Sequence, residues 1–521
     1  MSSFELPPTR GGSLLPLWLV GAGVALLSVA TLEGRGVAAA AGMLAIVSVF
    51  AATHRFVLRW EILTSIVIVV ILTIPIKRYG FAASLPFDLE PYRIAIAVVV
   101  ALWISALLVD PGVRVSRSAL DGPLLLFALA VIGSVALNPD SITQYNRVKS
   151  FAGDDFSTFL IDGGAIPYMD VSGNVAKQLL FLMSFYLAFY FIVSVIRGPD
   201  AIHAVLKTLV GGAAAVASFA IVERRTGYNV FDHLAAWIPL LNFEGAEEGV
   251  SRGGGRLRVY ASAQHPIALA ALFAIVTPVS IYLSYLTRRR LWYAASAALM
   301  LGALATVSRT SITMLAAVLV VFLILRPVVL KPLLVWMLPA LIVIHLVVPG
   351  AIGGIRQAFF PAEGLVADQT EFGGRLSSRR LDPQFDVIEA QPAFGQGYAT
   401  RITAGPDANA RILDNQWLAT GVETGLVGVL AFVWLFVRFL RRAGAAAKVD
   451  PSPRGWLLTA LSGSALAFAV GMLTYDAFSF IQAMFVFFVL LALGASTLAY
   501  DGPWPGQARV GRRPNREASA R

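Results

Sequence analysis

Apolar runs of about 17 to 25 residues recur along the whole chain and alternate with shorter polar segments. A run of this length crosses the hydrocarbon core of a bilayer when it forms an α-helix. The pattern predicts an all-α polytopic membrane protein with about fourteen (12–14) transmembrane helices. The predicted spans are 14–31, 36–52, 62–76, 93–109, 120–137, 176–196, 202–222, 266–286, 291–307, 310–325, 332–349, 416–437, 456–475 and 479–500.

Composition supports a membrane protein. Of the 521 residues, 57% are hydrophobic and only 14% are charged, and the mean hydropathy is +0.73, which excludes an ordinary soluble domain. A net charge of +10 indicates basic cytoplasmic loops beside anionic lipid, and no nucleic-acid motif is present. The chain has no cysteine, which excludes disulfides, thiolate metal sites and a cysteine nucleophile.

The basic residues of the short loops fall on alternate sides of the predicted spans. Those on one side are Arg55, Arg59, Arg114, Arg117, Arg197, Arg288, Arg289, Arg290, Arg326, Lys331, Arg438, Arg441, Arg442, Lys448 and Arg454. The positive-inside rule makes this side cytoplasmic, together with both termini. Three long polar segments, 138–175, 224–265 and 350–415, then lie outside. The third is a large external loop between two late spans.

Ionisable residues are scarce in the middle of the predicted spans, where ion-coupled transporters need them. They gather instead near the predicted outward ends. These residues are Glu223, His265, Arg309, His345, Asp414, Glu423 and Asp476. This distribution indicates chemistry at the outer boundary between membrane and water.

The second external segment ends in RGGGRLRVYASAQHPIALA, which contains Arg256, Arg258 and His265. Guanidinium groups on a glycine-rich backbone suit a phosphate-bearing ligand, because arginine stays charged and can bond two oxygens at once. The alternative is a solvated loop with interfacial anchors, in which His265 serves only in packing. We expect these three residues to bind substrate.

A second signal is ATVSRTSITM, where Arg309 and its hydroxyl neighbours interrupt an apolar run from 291 to 325. An arginine near the membrane boundary is costly unless it reaches water or an anionic partner. A tight turn whose arginine contacts lipid headgroups is the simpler interpretation. An anionic substrate group is the functional one.

The third external segment contains RLSSRRLDPQFDVIEAQPAFGQG, with Arg375, Arg379 and Arg380 ahead of a predicted short amphipathic helix, 383–390. Phe385 and Ile388 are expected to share one face of this helix. Gln391-Pro392 is expected to end it, and Gly395 and Gly397 are expected to shape the turn that follows.

The acidic-amide pair Asp414-Asn415 follows in ARILDNQWLATGVETGLVGVL, directly before a late span. Asp414 can cap that helix, and this is its simplest role. Capping does not exclude catalysis. The chain has no HExxH, Walker A, G-x-S-x-G or D-x-D motif, and its 5 histidines are scattered, so we expect no metal and no cofactor.

These motifs, in this order, resemble the O-antigen ligase and polymerase superfamily of bacterial envelope glycosyltransferases. The resemblance runs from about Lys177 to Leu440 through GRLRVYASAQHPIALA, TVSRTSITM, RRLDPQFDVIEAQPAFGQG and DNQWLATGVETGLVGVL. It implies a GT-C-like fold in the bacterial cytoplasmic (inner) membrane, with the active site facing the periplasm. It also implies a glycan donor carried on undecaprenyl diphosphate, a glycan acceptor, inversion at the anomeric carbon and no metal.

The resemblance implies roles for individual residues. Arg256 or Arg258, Arg309, and one of Arg375, Arg379 and Arg380 would hold the diphosphate. Asp414 would be the base, with Asn415 orienting the sugar or the carboxylate. Ligases of the superfamily usually have His-Asn at this place. The Asp-Asn of this chain therefore favours a polymerase of lipid-linked repeat units over transfer to lipid A core.

Two other functions stay open. A flippase for lipid-linked oligosaccharides would suit fourteen spans, although the scarcity of mid-span charges argues against it. A non-catalytic envelope scaffold would tolerate loss of Asp414. A chain-length regulator is a further candidate partner of the polymerase. The predicted organisation is N-terminal spans in 1–175, a catalytic membrane core in 176–440, C-terminal spans in 441–500 and a basic tail in 501–521.

Overall fold

The computed structural model describes the chain in several ranges. These are 59–81, 90–139, 171–238, 240–245, 251–252, 256–329, 342, 378–400 and 413–504, of which 171, 251–252, 256–257 and 378–383 are described by their backbone alone. The chain forms two compact units, residues 1–67 and 68–521. Most of the first unit lies outside the described residues, so the site and its surroundings below all belong to the second.

Helices dominate the described residues, as the apolar pattern predicts. In chain order they are α1 Trp60–Thr73, α2 Pro91–Val109, α3 Asp121–Leu137, α4 Val171–Val195, α5 Pro199–Thr226, α6 Leu234–Trp237, α7 Pro266–Thr287, α8 Arg290–Ala305, α9 Arg309–Leu325, α10 Ser378–Ala390, α11 Gln416–Val449, α12 Pro453–Gly471 and α13 Ile481–Ala499. Short 3-10 turns occur at Val230–His233, Pro327–Val329 and Ala477–Ser479.

Six of these helices are long and apolar enough to cross a membrane, which identifies a multi-pass membrane protein. They are α2, α4, α5, α7, α11 and α13, and α1, α3, α8 and α9 are shorter apolar helices. Each predicted span that falls within the described residues is a helix. The predicted spans 14–31 and 36–52 lie outside them, as does 332–349 apart from residue 342.

The all-α prediction misses four very short strands. β1 Tyr79–Phe81 pairs antiparallel with β2 Leu241–Phe243, and β3 Ser251–Arg252 pairs antiparallel with β4 Arg256–Leu257. Strands of two or three residues carry too little alternation to be recognised in a sequence. Their pairing depends on contacts between distant parts of the chain.

Two helices form the centre of the bundle. Almost every residue of α7 and α13 is buried, whereas α2 exposes its last residues, Leu108 and Val109. A helix that is apolar on all sides is a core helix when protein surrounds it and a lipid-facing helix when it does not. The sequence alone cannot separate these two cases, because both read as continuous apolar runs.

The bundle has two chemically different ends. At one end, Arg326 donates from Nη2 to the Asp450 carbonyl at 2.7 Å, and Arg454 donates from Nε to the Thr497 carbonyl at 3.3 Å. At the other end, the Gln416 N–H donates to the Met472 carbonyl at 2.8 Å. We call this second end the polar end; it comprises the C-termini of α5 and α12 and the N-termini of α7, α9, α11 and α13.

Helix α11 is broken at Gly425, where φ is 65° and ψ is −169°. The break lies ten residues after the N-cap Asn415, which is about 15 Å along a helix. Backbone N–H and C=O groups freed at such a depth cost several kcal/mol each in hydrocarbon unless protein groups bind them. The break therefore needs a partner segment.

The turn at 392–397 is that partner. Two of its N–H groups donate to the carbonyls of Val422 and Glu423 at 2.9 and 3.2 Å. Two of its carbonyls accept from the N–H groups of Leu426 and Val427 at 2.8 and 3.3 Å. The turn that follows α10 is thus inserted beside the broken span. Its shape depends on Gly395 and Gly397, whose φ values are +63° and +121°, as predicted.

Replacement of Gly425 by alanine is expected to lower the free energy of unfolding by at least about 2 kcal/mol. The new Cβ would lie 2.3 Å from the Ala393 carbonyl oxygen, and these φ and ψ values are almost exclusive to glycine. Gly444→Ala is the matched control in the same helix, since the nearest atom to its Cβ is Leu325 Cδ2 at 3.9 Å. The apparent Tm of the detergent-purified variants measures both effects. Equal Tm values for Gly425→Ala and the parent protein would contradict the need for this break.

Helix α10 begins earlier than the predicted 383–390 but ends at Ala390, directly before Gln391-Pro392 as predicted. Ile388 packs against a buried cluster of Leu413, Leu418 and Ala419 at the start of α11. Phe385 lies three residues before Ile388 in this helix and so shares a face with it, as predicted, but its side chain is exposed.

Candidate functional site

The connector between α12 and α13, residues 472–480, contacts the starts of three other helices at the polar end. Its Thr474 hydroxyl lies 2.9 Å from the hydroxyl of Thr310 in α9. The Asn415 N–H donates to Asp476 Oδ1 at 3.3 Å, and the His265 ring stacks on Phe480 with 5.6 Å between centroids. The connector therefore links the starts of α7, α9 and α11, which carry three of the predicted motifs.

Arg309 is the first residue of α9 and is partly buried. The residue two positions earlier, Val307, has φ 49°, a left-handed conformation that is strained for a β-branched side chain. Arg258 reaches the same turn, where its Nε donates to the Thr306 carbonyl at 3.5 Å. The structure thus brings two predicted anion-binding arginines, from separate segments, to one short turn.

Asn415, not Asp414, caps α11. The Asn415 Oδ1 accepts from the Leu418 N–H at 3.1 Å, and Asn415 has the extended conformation typical of an N-cap. Asp414 precedes the cap with φ 50° and is partly buried. The capping role considered for Asp414 is therefore wrong by one residue. The capping requirement accounts for Asn415 and leaves the presence of Asp414 to be explained.

His265 caps α7 in a similar way. Its Nδ1 accepts from the Ile267 N–H at 3.1 Å, and its ring is stacked on Phe480. These contacts support the packing interpretation of His265. They also hold it at the polar end, beside the connector.

The other predicted arginines are described less fully. The backbone register of the β3–β4 hairpin places Arg256 opposite Arg252. Arg379 and Arg380 lie near the start of α10, whose other end packs beside Leu413, next to Asp414. Arg375 lies outside the described residues.

Left-handed backbone is concentrated at the polar end. Among the described residues, six that are not glycine have positive φ: Lys77, Ala261, Arg288, Val307, Ala399 and Asp414. All but Arg288 lie at the polar end or in the segments packed on it. Such conformations cost about 1–3 kcal/mol each and cluster where a site must be held in shape.

A buried polar network, which the sequence does not reveal, holds the segment that leads to His265. Arg78 forms an ion pair with Asp232, and its Nη2 also donates to the carbonyls of Ala261 and Ala263. The Glu223 carboxylate accepts from the Ala261 N–H at 2.9 Å. Together these contacts fix the backbone around the left-handed Ala261.

Charges in this network stabilise one another. Burial lowers the pKa of Arg78, while the adjacent Asp232 carboxylate opposes that shift. Burial also raises the pKa of Tyr260 to about 12, so its hydroxyl remains protonated at neutral pH and donates to Asp232 Oδ2 at 3.0 Å. In the sequence, Arg78 is recognisable only as a basic residue that follows an apolar run.

Comparison with known proteins concerns the part of the site that lies within residues 294–433. Residues 294–433 match the protein family described as O-Antigen ligase. The matched region contains Arg309, Asp414 and Asn415, whereas Arg258 and His265 precede it. The search of curated proteins gave no match to the chain. The match over residues 294–433 supports the resemblance of this part of the chain to the O-antigen ligase and polymerase superfamily.

Proposed function

We propose that the protein is a polysaccharide polymerase, a glycosyltransferase that joins repeat units carried on undecaprenyl diphosphate. The observation that carries this proposal is that the Arg258–Thr306 contact lies next to Arg309, while Thr310 and Asn415, the neighbours of Arg309 and Asp414, both hydrogen-bond to the connector at the polar end. Arginines at a boundary of lowered dielectric suit a diphosphate. A carboxylate at the same end suits an acceptor hydroxyl.

The proposed reaction is a single inverting displacement. The acceptor hydroxyl oxygen attacks the anomeric carbon of the donor, and the bond from that carbon to the diphosphate oxygen breaks. Asp414 accepts the hydroxyl proton, and undecaprenyl diphosphate leaves with the bonding electron pair. Arg309 and Arg258 stabilise the charge that develops on the leaving group, so the step needs no metal. Arg256, Arg375, Arg379, Arg380 and His265 are the remaining candidates for substrate contact.

The same proposal includes an orientation. The polar end faces the periplasm, and the end that carries Arg326 and Arg454 faces the cytoplasm, because basic residues are retained on that side. The chain would then have about fourteen spans in a GT-C-like arrangement within the cytoplasmic membrane, and the spans within 176–440 would form the catalytic core.

A ligase is the second candidate, because the matched family is described as O-Antigen ligase. It would transfer finished glycan from undecaprenyl diphosphate to lipid A core or another acceptor. The Asp-Asn pair favours the polymerase, since ligases of the superfamily usually have His-Asn. Both candidates use the same donor and the same leaving group.

Sizing of the carrier-bound glycan in a deletion strain distinguishes the candidates. Loss of a polymerase is expected to leave single repeat units on the lipid carrier at the outer face, because flipping continues and elongation stops. Long polymer on the carrier would identify a ligase instead. Single units confined to the cytoplasmic face would contradict the enzyme proposal and identify a flippase. A plasmid copy of the parent gene, which should restore the normal glycan, is the control.

A further inference from the structure

Residues 228–238 and 240–243, which follow α5 at the polar end, form a small element that we call the platform. It contains the 3-10 turn Val230–His233, helix α6 and strand β2. Its outer surface is apolar: Trp237 is 74% exposed and Leu240 57% exposed, and Tyr228 and Ile238 are also exposed. A patch of this kind on an extramembrane segment indicates a contact surface.

The opposite side of the platform is fastened to the protein. The Tyr79 hydroxyl donates to the Phe231 carbonyl at 2.9 Å and accepts from the Leu234 N–H at 3.0 Å. Asp232 is held by Arg78 and Tyr260. The exposed apolar residues are therefore presented on a fixed backbone.

The platform packs against an exposed apolar side of a membrane span. In α5, Phe219 and Val222 are three residues apart and both about half exposed, as expected of side chains that face lipid. The Phe219 ring also contacts Phe231 of the platform edge-on, with 5.7 Å between centroids. Phe231 is itself buried, so this contact holds the platform next to the lipid-facing side of α5.

The residues between the span and the platform suit lipid headgroups. Arg224 and Arg225 occupy the last turn of α5, where guanidinium groups can contact lipid phosphates. Trp and Tyr side chains, with an apolar body and a polar tip, are enriched at the membrane–water boundary. Trp237 and Tyr228 supply both residue types.

We propose that the platform lies in the headgroup–acyl boundary of the leaflet at the polar end, with Trp237, Ile238 and Leu240 inserted into the lipid. Its partner is the bilayer, not another protein. The platform would thereby fix the height of the membrane surface relative to the segment that carries Arg258 and His265, because Arg78 joins Asp232 to the carbonyls of Ala261 and Ala263. The proposal does not depend on which glycan the protein transfers.

The absence of cysteine from the chain allows a direct test. Full-length Trp237→Cys and Leu240→Cys variants, each labelled with a nitroxide, are placed in nanodiscs of phosphatidylethanolamine and phosphatidylglycerol. Collisions with oxygen, which partitions into lipid, are compared with collisions with a water-soluble nickel chelate. Asp501→Cys is the control, since Asp501 is exposed beyond the last helix at the other end.

Both platform labels are expected to show an oxygen-to-nickel accessibility ratio severalfold above that at Asp501. A ratio at both positions equal to that at Asp501 would place the platform in water and overturn the proposal. Protection from both reagents would overturn it as well, because it would show that protein covers the patch, from a second copy or another partner. Two independent positions keep the result decisive if one variant folds poorly.

Discussion

Replacement of Asp414 by asparagine is expected to abolish polymer formation while the protein remains in the membrane at its normal level. The amide has nearly the same size but cannot accept the proton of the acceptor hydroxyl. Loss of a general base typically costs about 10²–10⁴-fold in rate. The backbone should tolerate the change, because asparagine adopts the left-handed conformation of Asp414, φ 50°, at least as readily as aspartate does.

Polymer length on gels and protein amount on blots together measure this effect. Asp110→Asn is a matched control, because the same chemical change is made at a partly exposed residue that follows α2 and accepts from the nearby Gly112 N–H. It should leave polymer unchanged. Asn415→Ala serves a different purpose: loss of the cap should cost about 1 kcal/mol of stability, and Asn415→Ser should restore it. Full-length polymer from Asp414→Asn would remove Asp414 from the reaction and leave it a structural residue of the turn.

The helices of this protein could be predicted because lipid and protein interiors demand the same apolar sequence. The arrangement of the helices could not be predicted for the same reason. Nothing in the composition of α7 or α13 marks them as central. The break at Gly425 is also hidden, since glycine is common in transmembrane helices. It becomes recognisable only when the turn at 392–397 supplies the missing hydrogen-bond partners.

The candidate site was predictable in part. Arg309 and Asp414 could be predicted as site residues because they are charged and stand at the starts of apolar runs. A charged residue at such a place is costly to insert into the membrane unless it has a role. The sequence marks Asp476 as an ionisable residue near an outward end, but it does not predict the joining role of the connector 472–480 or the role of Arg78, since both depend on contacts with segments far away in sequence. The cap of α11 was misplaced by one residue because a helix boundary cannot be read from sequence at that precision.

Replacement of Arg309 by alanine is the second change with a large expected effect. Removing one group that stabilises developing negative charge costs about 10²–10³-fold in rate, so polymer should disappear while the protein level stays normal. Arg309→Lys should retain part of the activity, because it keeps the charge but loses the two-pronged contact with phosphate oxygens. Arg289→Ala, at the exposed turn before α8, should have no effect. If Arg309→Ala cells made normal polymer, the arginine would serve only the turn at 306–309, and the diphosphate would have to be held by other arginines.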